Sequence, residues 1–232
     1  MPVVAELLLI RHGQSTANVA FPAADAASRL ESGLIGRDAD VELTEVGVRQ
    51  AEAIGHWLAT APEDRLPEIV VTSPYVRARE TWRIAAETSG RDLPPPKSDD
   101  RLVDRLLGDL EMMTRAAIAA RYPEEPGRRL AAGEYRYRPP GGETFGDIAE
   151  RLRSFLGDLN REYAGRRVVV VAHDAVVLMM RAVIEDLDWE RVAAVANSGH
   201  VLNGSITRFD GSSGRLVLDA YNNVDHLSPA PP

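Results

Sequence analysis

The stretch "LLLIRHGQSTAN", residues Leu7 to Asn18, decides the fold. Four apolar residues in succession, with no alternation, read as a strand buried on both faces, as the strands of parallel sheets are. The run stops at Arg11 and His12, and Gly13 followed by small polar residues marks a sharp turn. A strand that ends on a cation and an imidazole is a rigid mount for groups that handle an anion. In open α/β sheets ligands bind beyond the carboxyl ends of the strands, where these two side chains would lie.

Two further runs share the pattern: "VVVVA" at 168–172 and the shorter "EIVVTSP" at 68–74. The three carboxyl ends carry "RHG", "AHD" and "TSPYVR", so each brings a histidine, an arginine or both to one mouth. Helical patterns lie between them. Thr44 is a candidate N-cap ahead of Val48, Ala51, Ile54 and Leu58, and Thr144 ahead of Ile148, Leu152, Phe155, Leu156 and Leu159. "AVVLMMRAVIEDL" follows the 168–172 run directly. Strands alternating with helices predict a three-layer α/β/α sandwich around a mostly parallel sheet. The expectation is one domain over 1–232, with a small cap region around 101–142. "NGSITRFD" and "GRLVLDAYN" read as a late hairpin. "LPPPK" at 93–97 and "RPPGG" at 138–142 read as loops, and the tail 227–232 as disordered.

The composition narrows the function. A net charge of −8 over 232 residues argues against a nucleic-acid surface but leaves room for a small anionic substrate held by local arginines. With no cysteine there is no disulfide framework and no thiolate chemistry, which fits a cytoplasmic protein. The N-terminal apolar stretch is short, contains Glu6 and ends at Arg11, so neither a signal peptide nor a membrane span is expected.

A phosphate dianion is the anion that best suits these residues. Arg11 and Arg77 offer planar forks matching phosphoryl oxygens, and Asn18 adds a neutral donor. If one imidazole is neutral, its free nitrogen can attack phosphorus while a backbone carbonyl of the Gly13 turn pins the other as a donor. The second imidazole, protonated, would stabilise charge on the equatorial oxygens. The arginines then do the work of a metal, so neither metal nor cofactor is expected. The leaving oxygen still needs a nearby carboxylic acid.

Five segments in order, "RHGQSTAN", "GRDADVELTEVGVRQA" (36–51), "TSPYVRARETW" (72–82), "PGGETFGDIAERL" (140–152) and "VVVAHDAVV" (169–177), resemble the histidine phosphatase superfamily, the phosphoglycerate-mutase-like group. "EMMTRAAIAARYPEE" and "YRYRPPGGETFGDIAERL" resemble its fructose-2,6-bisphosphatase domain. The resemblance implies His12 as the residue phosphorylated in the intermediate. It implies a phosphate pocket of Arg11, Arg77, His173 and Asn18, with Gly13, Thr16, Asp174 and Glu143 as further substrate-binding positions. Asp104 stands where the family's general acid is usually a glutamate. Asp174 follows the second histidine as in the acid-phosphatase branch, which makes it a rival donor, and it also fits an N-cap. Glu111 is a third candidate acid. Glu134 and Leu178 replace basic residues of the bisphosphatase, for which Arg128, Arg129 or Arg181 would have to compensate. An insertion at 19–34, "VAFPAADAASRLESGL", lies beside the nucleophile and would line or cover the pocket.

The expected activity is that of a metal-independent phosphomonoesterase acting on a small phosphorylated metabolite through a phosphohistidine. The alternatives are a phosphoglycerate mutase and a non-catalytic phosphate-binding protein. The partner expected is a small phosphorylated substrate, with no nucleic acid and no membrane, and the oligomeric state is left open. His56, His200 and His226 are expected on the surface or in packing, Arg79 and Arg83 on a solvated helix face, and Met179, Met180 and Trp189 in the core.

Overall fold

The computed structural model describes residues 2–228. In chain order the elements are β1 (Glu6–Arg11), α1 (Thr16–Ala26), α2 (Glu45–Thr60), β2 (Ile69–Thr72), α3 (Val76–Ser89), β3 (Lys97–Ser98), α4 (Arg115–Arg121) and α5 (Glu125–Ala132). They continue with α6 (Phe145–Glu162), β4 (Arg167–Ala172), α7 (Asp174–Ile184), α8 (Trp189–Asn197), β5 (Ile206–Asp210) and β6 (Val217–Asn223). The six strands form one sheet in the order β3-β2-β4-β1-β5-β6. The first four are parallel, and the late hairpin adds β5 and β6 antiparallel at the β1 side.

Because strand side chains alternate, the continuous apolar runs serve two layers at once. Leu7, Leu9, Val168 and Val170 pack with Ile148, Leu152 and Phe155 of α6 and with Val176 and Met180 of α7. Leu8, Ile10, Val169 and Val171 pack on the opposite face with Ile54 and Leu58 of α2 and with Ala78, Trp82 and Ala85 of α3. Each fully buried large apolar side chain contributes about 1.5–3 kcal/mol. The two long helices start where the sequence places them. Thr44 Oγ1 accepts from Gly47 N at 3.1 Å, and Thr144 with Asp147 closes a capping box on α6.

Register converts this packing into a site. Arg11 pairs with Ala172 across β1 and β4, so His12 and His173, each one residue further on, emerge side by side. Thr72 of β2 pairs with Val171, which brings Ser73 alongside His173.

Three expectations need correction. Lys97 belongs to a strand, β3, pairing with Val71 where the proline run predicted only loop; two residues are too short for any periodic signal. Trp189 is 36% exposed, its ring stacked on Tyr135 at 6.0 Å, so it lies at the surface and not in the core. Leu227 closes the 3-10 turn Asp225–Leu227 beside Gly204, so the tail's first two residues are ordered; residues 229–232 lie outside the described residues.

Gly13 and Gly47 are where the nucleophile loop meets α2. A Cβ on Gly13 would stand 2.4 Å from Gly47 O, and one on Gly47 would stand 2.1 Å from Gln14 O. Gly47→Ala is therefore expected to destabilise the protein by about 1–3 kcal/mol through overpacking. Gly157→Ala, exposed on α6 with open space around it, should instead stabilise it by about 0.5–1 kcal/mol. Chemical denaturation of the two variants beside the parent protein checks both signs.

Candidate active site

His12 is held at every polar atom. Its backbone N donates to Ala172 O at 2.9 Å, and its carbonyl accepts from Gly204 N and Asn203 Nδ2 at 3.1 Å each. Nδ1 lies 2.7 Å from the Gly13 carbonyl, which can only accept, so this nitrogen carries the proton. Nε2 is then the unprotonated nitrogen, and Arg77 Nε donates to it at 3.3 Å. The loop is braced in turn by Gly13 N donating to Thr81 Oγ1 at 3.0 Å and by the close approach of Gly47.

Arg77, near the start of α3, is 3% exposed, and all five of its N–H groups are taken. Nη1 donates to the Asp38 backbone O (2.6 Å) and Oδ1 (3.0 Å), and Nη2 to Asp38 Oδ2 and Asp104 Oδ2 (3.1 Å each). Arg11, at the end of β1, donates through Nη1 to the Val201 carbonyl and sits 3.8 Å from Asp174. His173 is fully buried, with Nε2 at 2.8 Å from Ser73 Oγ and Nδ1 at 3.5 Å from Asp104 Oδ2. The two imidazoles meet edge to face at 5.1 Å, and Tyr75 packs edge-on against His173 at the same separation.

Buried polar atoms in folded proteins nearly always have partners. Arg11 Nε and His173 Nδ1 are buried here with none. Both belong to this cluster, and both suit an anion as ligand. The cluster forms the floor of a cleft of about 490 Å³.

Electrostatics fixes the resting protonation. Burial, then His173, Arg77 and Arg11, hold the His12 pKa well below its ordinary 6.5. Burial, then Arg77, Arg11 and Arg151, do the same to His173. Both imidazoles are neutral in the ligand-free site, so the protonated His173 expected against the phosphoryl oxygens belongs to the ligand-bound state. Burial raises the Asp38 carboxyl above its usual range although Arg77 opposes this, and it pushes the Tyr75 hydroxyl up to about 12.

The remaining expected residues divide. Asn18 lines the cleft; its Oδ1 accepts from Ser15 N and Asn203 Nδ2, leaving Nδ2 as donor. Asp104, Asp174 and Glu111 also line it. The N-cap of α7 is His173 and not Asp174, which sits one residue later and accepts from Ala175 N at 2.7 Å. Gly13, Thr16 and Glu143 stand behind the wall. Thr16 N is bound to Glu42 O, and Glu143 grips Arg151 at 3.0 and 3.1 Å while accepting from Leu106 N. Arg151 Nη2 in turn donates to the Asp104 carbonyl at 3.2 Å, so Glu143 steadies the segment that carries Asp104.

Of the compensating arginines, Arg128 is paired with Glu125 and Arg181 with Glu185, whereas Arg129 reaches the cleft. The insertion contributes Phe21, Pro22 and Asp25 to the wall. Sequence reasoning missed Asp38, Ser73 and Tyr75. The first lies in a motif with four acidic residues and nothing to single one out, and the others precede Arg77 in "TSPYVR". Among the described residues no group of three or more His, Cys, Asp or Glu side chains is placed to hold a metal ion, and no helix is long and apolar enough to cross a membrane.

Residues 7–224 match the model of the histidine phosphatase superfamily, branch 1, and the chain belongs to that family. It is 28% identical to a metal-independent phosphoserine phosphatase of Arabidopsis thaliana, over 97% of this chain and 84% of that protein. It is 34% identical to 2,3-bisphosphoglycerate-dependent phosphoglycerate mutase 2 of Gloeobacter violaceus, over 80% of this chain and 76% of the mutase. Among solved structures it superposes on a mycobacterial glucosyl-3-phosphoglycerate phosphatase complexed with VO3. That match has a TM-score of 0.72 and 32% identity, covering 95% of this chain and all of that one.

The lowered histidine pKa values have a consequence for stability. Below pH 6.5 the unfolded chain binds protons at positions 12 and 173 that the native site refuses. Stability should therefore fall as pH drops below 6.5, by up to about 1.4 kcal/mol per pH unit for each histidine. His173→Gln should make the fall shallower, as read from urea midpoints between pH 5 and 7.5.

Proposed function

We propose that the chain is a phosphomonoesterase in which His12 Nε2 is the nucleophile and Asp104 the proton donor. The observation that carries this is the Nδ1 bond to the Gly13 carbonyl. It leaves Nε2 with a free electron pair, beside a guanidinium that also holds the Asp104 carboxylate and edge to face with a second imidazole. The whole chain serves as one domain, with 101–142 as its cap.

A substrate phosphoryl group entering the cleft replaces His12 Nε2 as acceptor of the Arg77 Nε–H hydrogen bond and gives Arg11 Nε and His173 Nδ1 their missing partner. Ser73, already accepting from Tyr75 N at 3.3 Å, donates its hydroxyl proton to His173 Nε2, so Nδ1 becomes the donor toward phosphate. The nearby dianion favours the protonated imidazole; when Nε2 takes up the added proton from solvent, the Ser73 hydroxyl turns so that its oxygen accepts from Nε2–H. His12 Nε2 then bonds to phosphorus as the ester P–O bond breaks and Asp104 gives its proton to the departing alkoxide. The Nδ1 proton stays on the Gly13 carbonyl bond through the phosphohistidine stage. In the second half Asp104 takes a proton from water, the hydroxide oxygen bonds to phosphorus, and the N–P bond breaks to release orthophosphate.

Phosphoglycerate mutases are also relatives, and the 111–152 stretch resembles the fructose-2,6-bisphosphatase domain, so substrates with a second anionic group need weighing. Beyond Arg11 and Arg77 the cleft arginines carry carboxylate partners: Arg105 and Arg129 share Glu134, and Arg115 pairs with Asp25. A second phosphate would have to break these pairs. This favours simple monoesters over bisphosphates and favours water as the acceptor.

With p-nitrophenyl phosphate, His12→Ala should abolish turnover and the acid-labile, base-stable phosphoprotein trapped in the parent. Asp104→Asn should cut hydrolysis of an alkyl phosphate by about 10²–10⁴-fold, because the poor leaving group needs its proton. It should reduce p-nitrophenyl phosphate turnover far less. The larger loss appearing in Asp174→Asn would transfer the donor role to that residue. Formation of 2-phosphoglycerate from 3-phosphoglycerate with a trace of 2,3-bisphosphoglycerate would identify a mutase instead.

A further inference from the structure

Arg77 presents two edges, and the structure uses them differently. The end of its guanidinium, Nη1 and Nη2, is gripped by both carboxylate oxygens of Asp38 at 3.0 and 3.1 Å, with the Asp38 carbonyl adding a third contact at 2.6 Å. The side edge, Nε and Nη2, faces His12 Nε2 at 3.3 Å and Asp104 Oδ2 at 3.1 Å. That side edge spans the gap between nucleophile and proton donor, where the phosphorus must sit if the proposed function holds.

We infer that Asp38 is a positioning residue, which fixes the rotation of the Arg77 guanidinium so that its Nε/Nη2 edge meets the phosphoryl oxygens in the transition state. Two contacts already leave the carboxylate free for that task. The turn at Asp38–Asp40 is closed by Val41 N donating to the Asp38 carbonyl at 3.3 Å, and Asp38 N donates to Glu111 Oε1 at 3.0 Å. The carboxylate is thus spare to the turn and spent on Arg77. An unbraced arginine could turn about its last bonds and offer phosphate a different pair of donors. A bidentate carboxylate prevents this, because the planar fork has one matching orientation.

The arrangement carries a cost that makes it testable. Asp38 places a negative charge next to a site that binds a dianion, opposing ground-state binding of phosphate while aligning the group that stabilises the transition state. Removing the charge should separate the two effects. For Asp38→Asn, kcat on p-nitrophenyl phosphate is expected to fall about 10- to 100-fold, the scale of loss from a misaligned group. Its Kd for orthophosphate, measured by calorimetry, should tighten severalfold. Asp38→Glu, which keeps the carboxylate, should recover most of the lost kcat. A thermal melt of each variant controls for folding.

An unchanged kcat in Asp38→Asn would overturn the inference. So would a parallel loss of kcat and phosphate affinity, the mark of a merely structural role. If the parent protein turned over no p-nitrophenyl phosphate, the phosphatase proposal would fail by itself. The Asp38 inference would still be decided by binding, and weaker orthophosphate binding in Asp38→Asn would refute it.

Discussion

A neutral imidazole has one nitrogen that can attack and one that cannot, and a protein that uses it must decide which is which. Here a single hydrogen bond of 2.7 Å, from His12 Nδ1 to the Gly13 carbonyl, makes that decision. Most of the neighbouring structure keeps this bond in place. The carbonyl points at the ring because the chain turns at Gly13, and the turn is tight because Gly47 of α2 lies against it with no side chain on either residue. The histidine's own backbone is sewn to β4 and to the Asn203–Gly204 turn. The core of α2, α3 and the sheet is in this sense the mount of one tautomer.

Charge balance forms the second constraint. The cleft wall holds five arginines, Arg11, Arg77, Arg105, Arg115 and Arg129, and five carboxylates, Asp25, Asp38, Asp104, Glu111 and Asp174. Such a wall is close to neutral before anything binds. In the mechanism proposed above, a dianion entering it brings surplus negative charge, which the proton taken up by the second imidazole offsets. Burial of His173 and its three arginine neighbours keep that imidazole uncharged until then. Under that mechanism binding and acid–base chemistry are one electrostatic problem, because the ligand supplies the potential that charges His173.

The parts of this design with a local signature were readable from residue order alone. Unbroken apolar runs gave β1 and β4 because both faces are buried, and Thr44 and Thr144 gave the starts of α2 and α6 because caps are local chemistry. Arg11, His12, Arg77 and His173 were readable because they sit at strand ends or one helix turn beyond. What stayed hidden depends on partners far away in the chain. Asp38 acquires its place only when its turn folds onto Arg77, 39 residues later. Ser73 meets His173 only through the β2–β4 register, 100 residues apart. Glu143 looks like a site residue by its motif, yet its carboxylate is used up by Arg151 behind the wall. Two residues of β3 carry no period at all.

The distal wall follows a different logic from the floor. The insertion at 19–34 does not float over the cleft; it is tied to the 101–142 segment. Thr114, 1% exposed, donates to Arg29 O at 2.7 Å while capping α4, and Arg115 N donates to Asp25 Oδ1 at 2.8 Å. Phe21 and Pro22 from one segment face the same space as Met112, Met113 and Ile118 from the other. Loops that carry specificity are usually free to vary because the scaffold does not need them. In this protein the two wall segments brace each other through a buried threonine. The strand ends and the start of α3 hold His12, Arg77 and His173, and the Thr114 junction joins the two segments that form the far wall of the cleft.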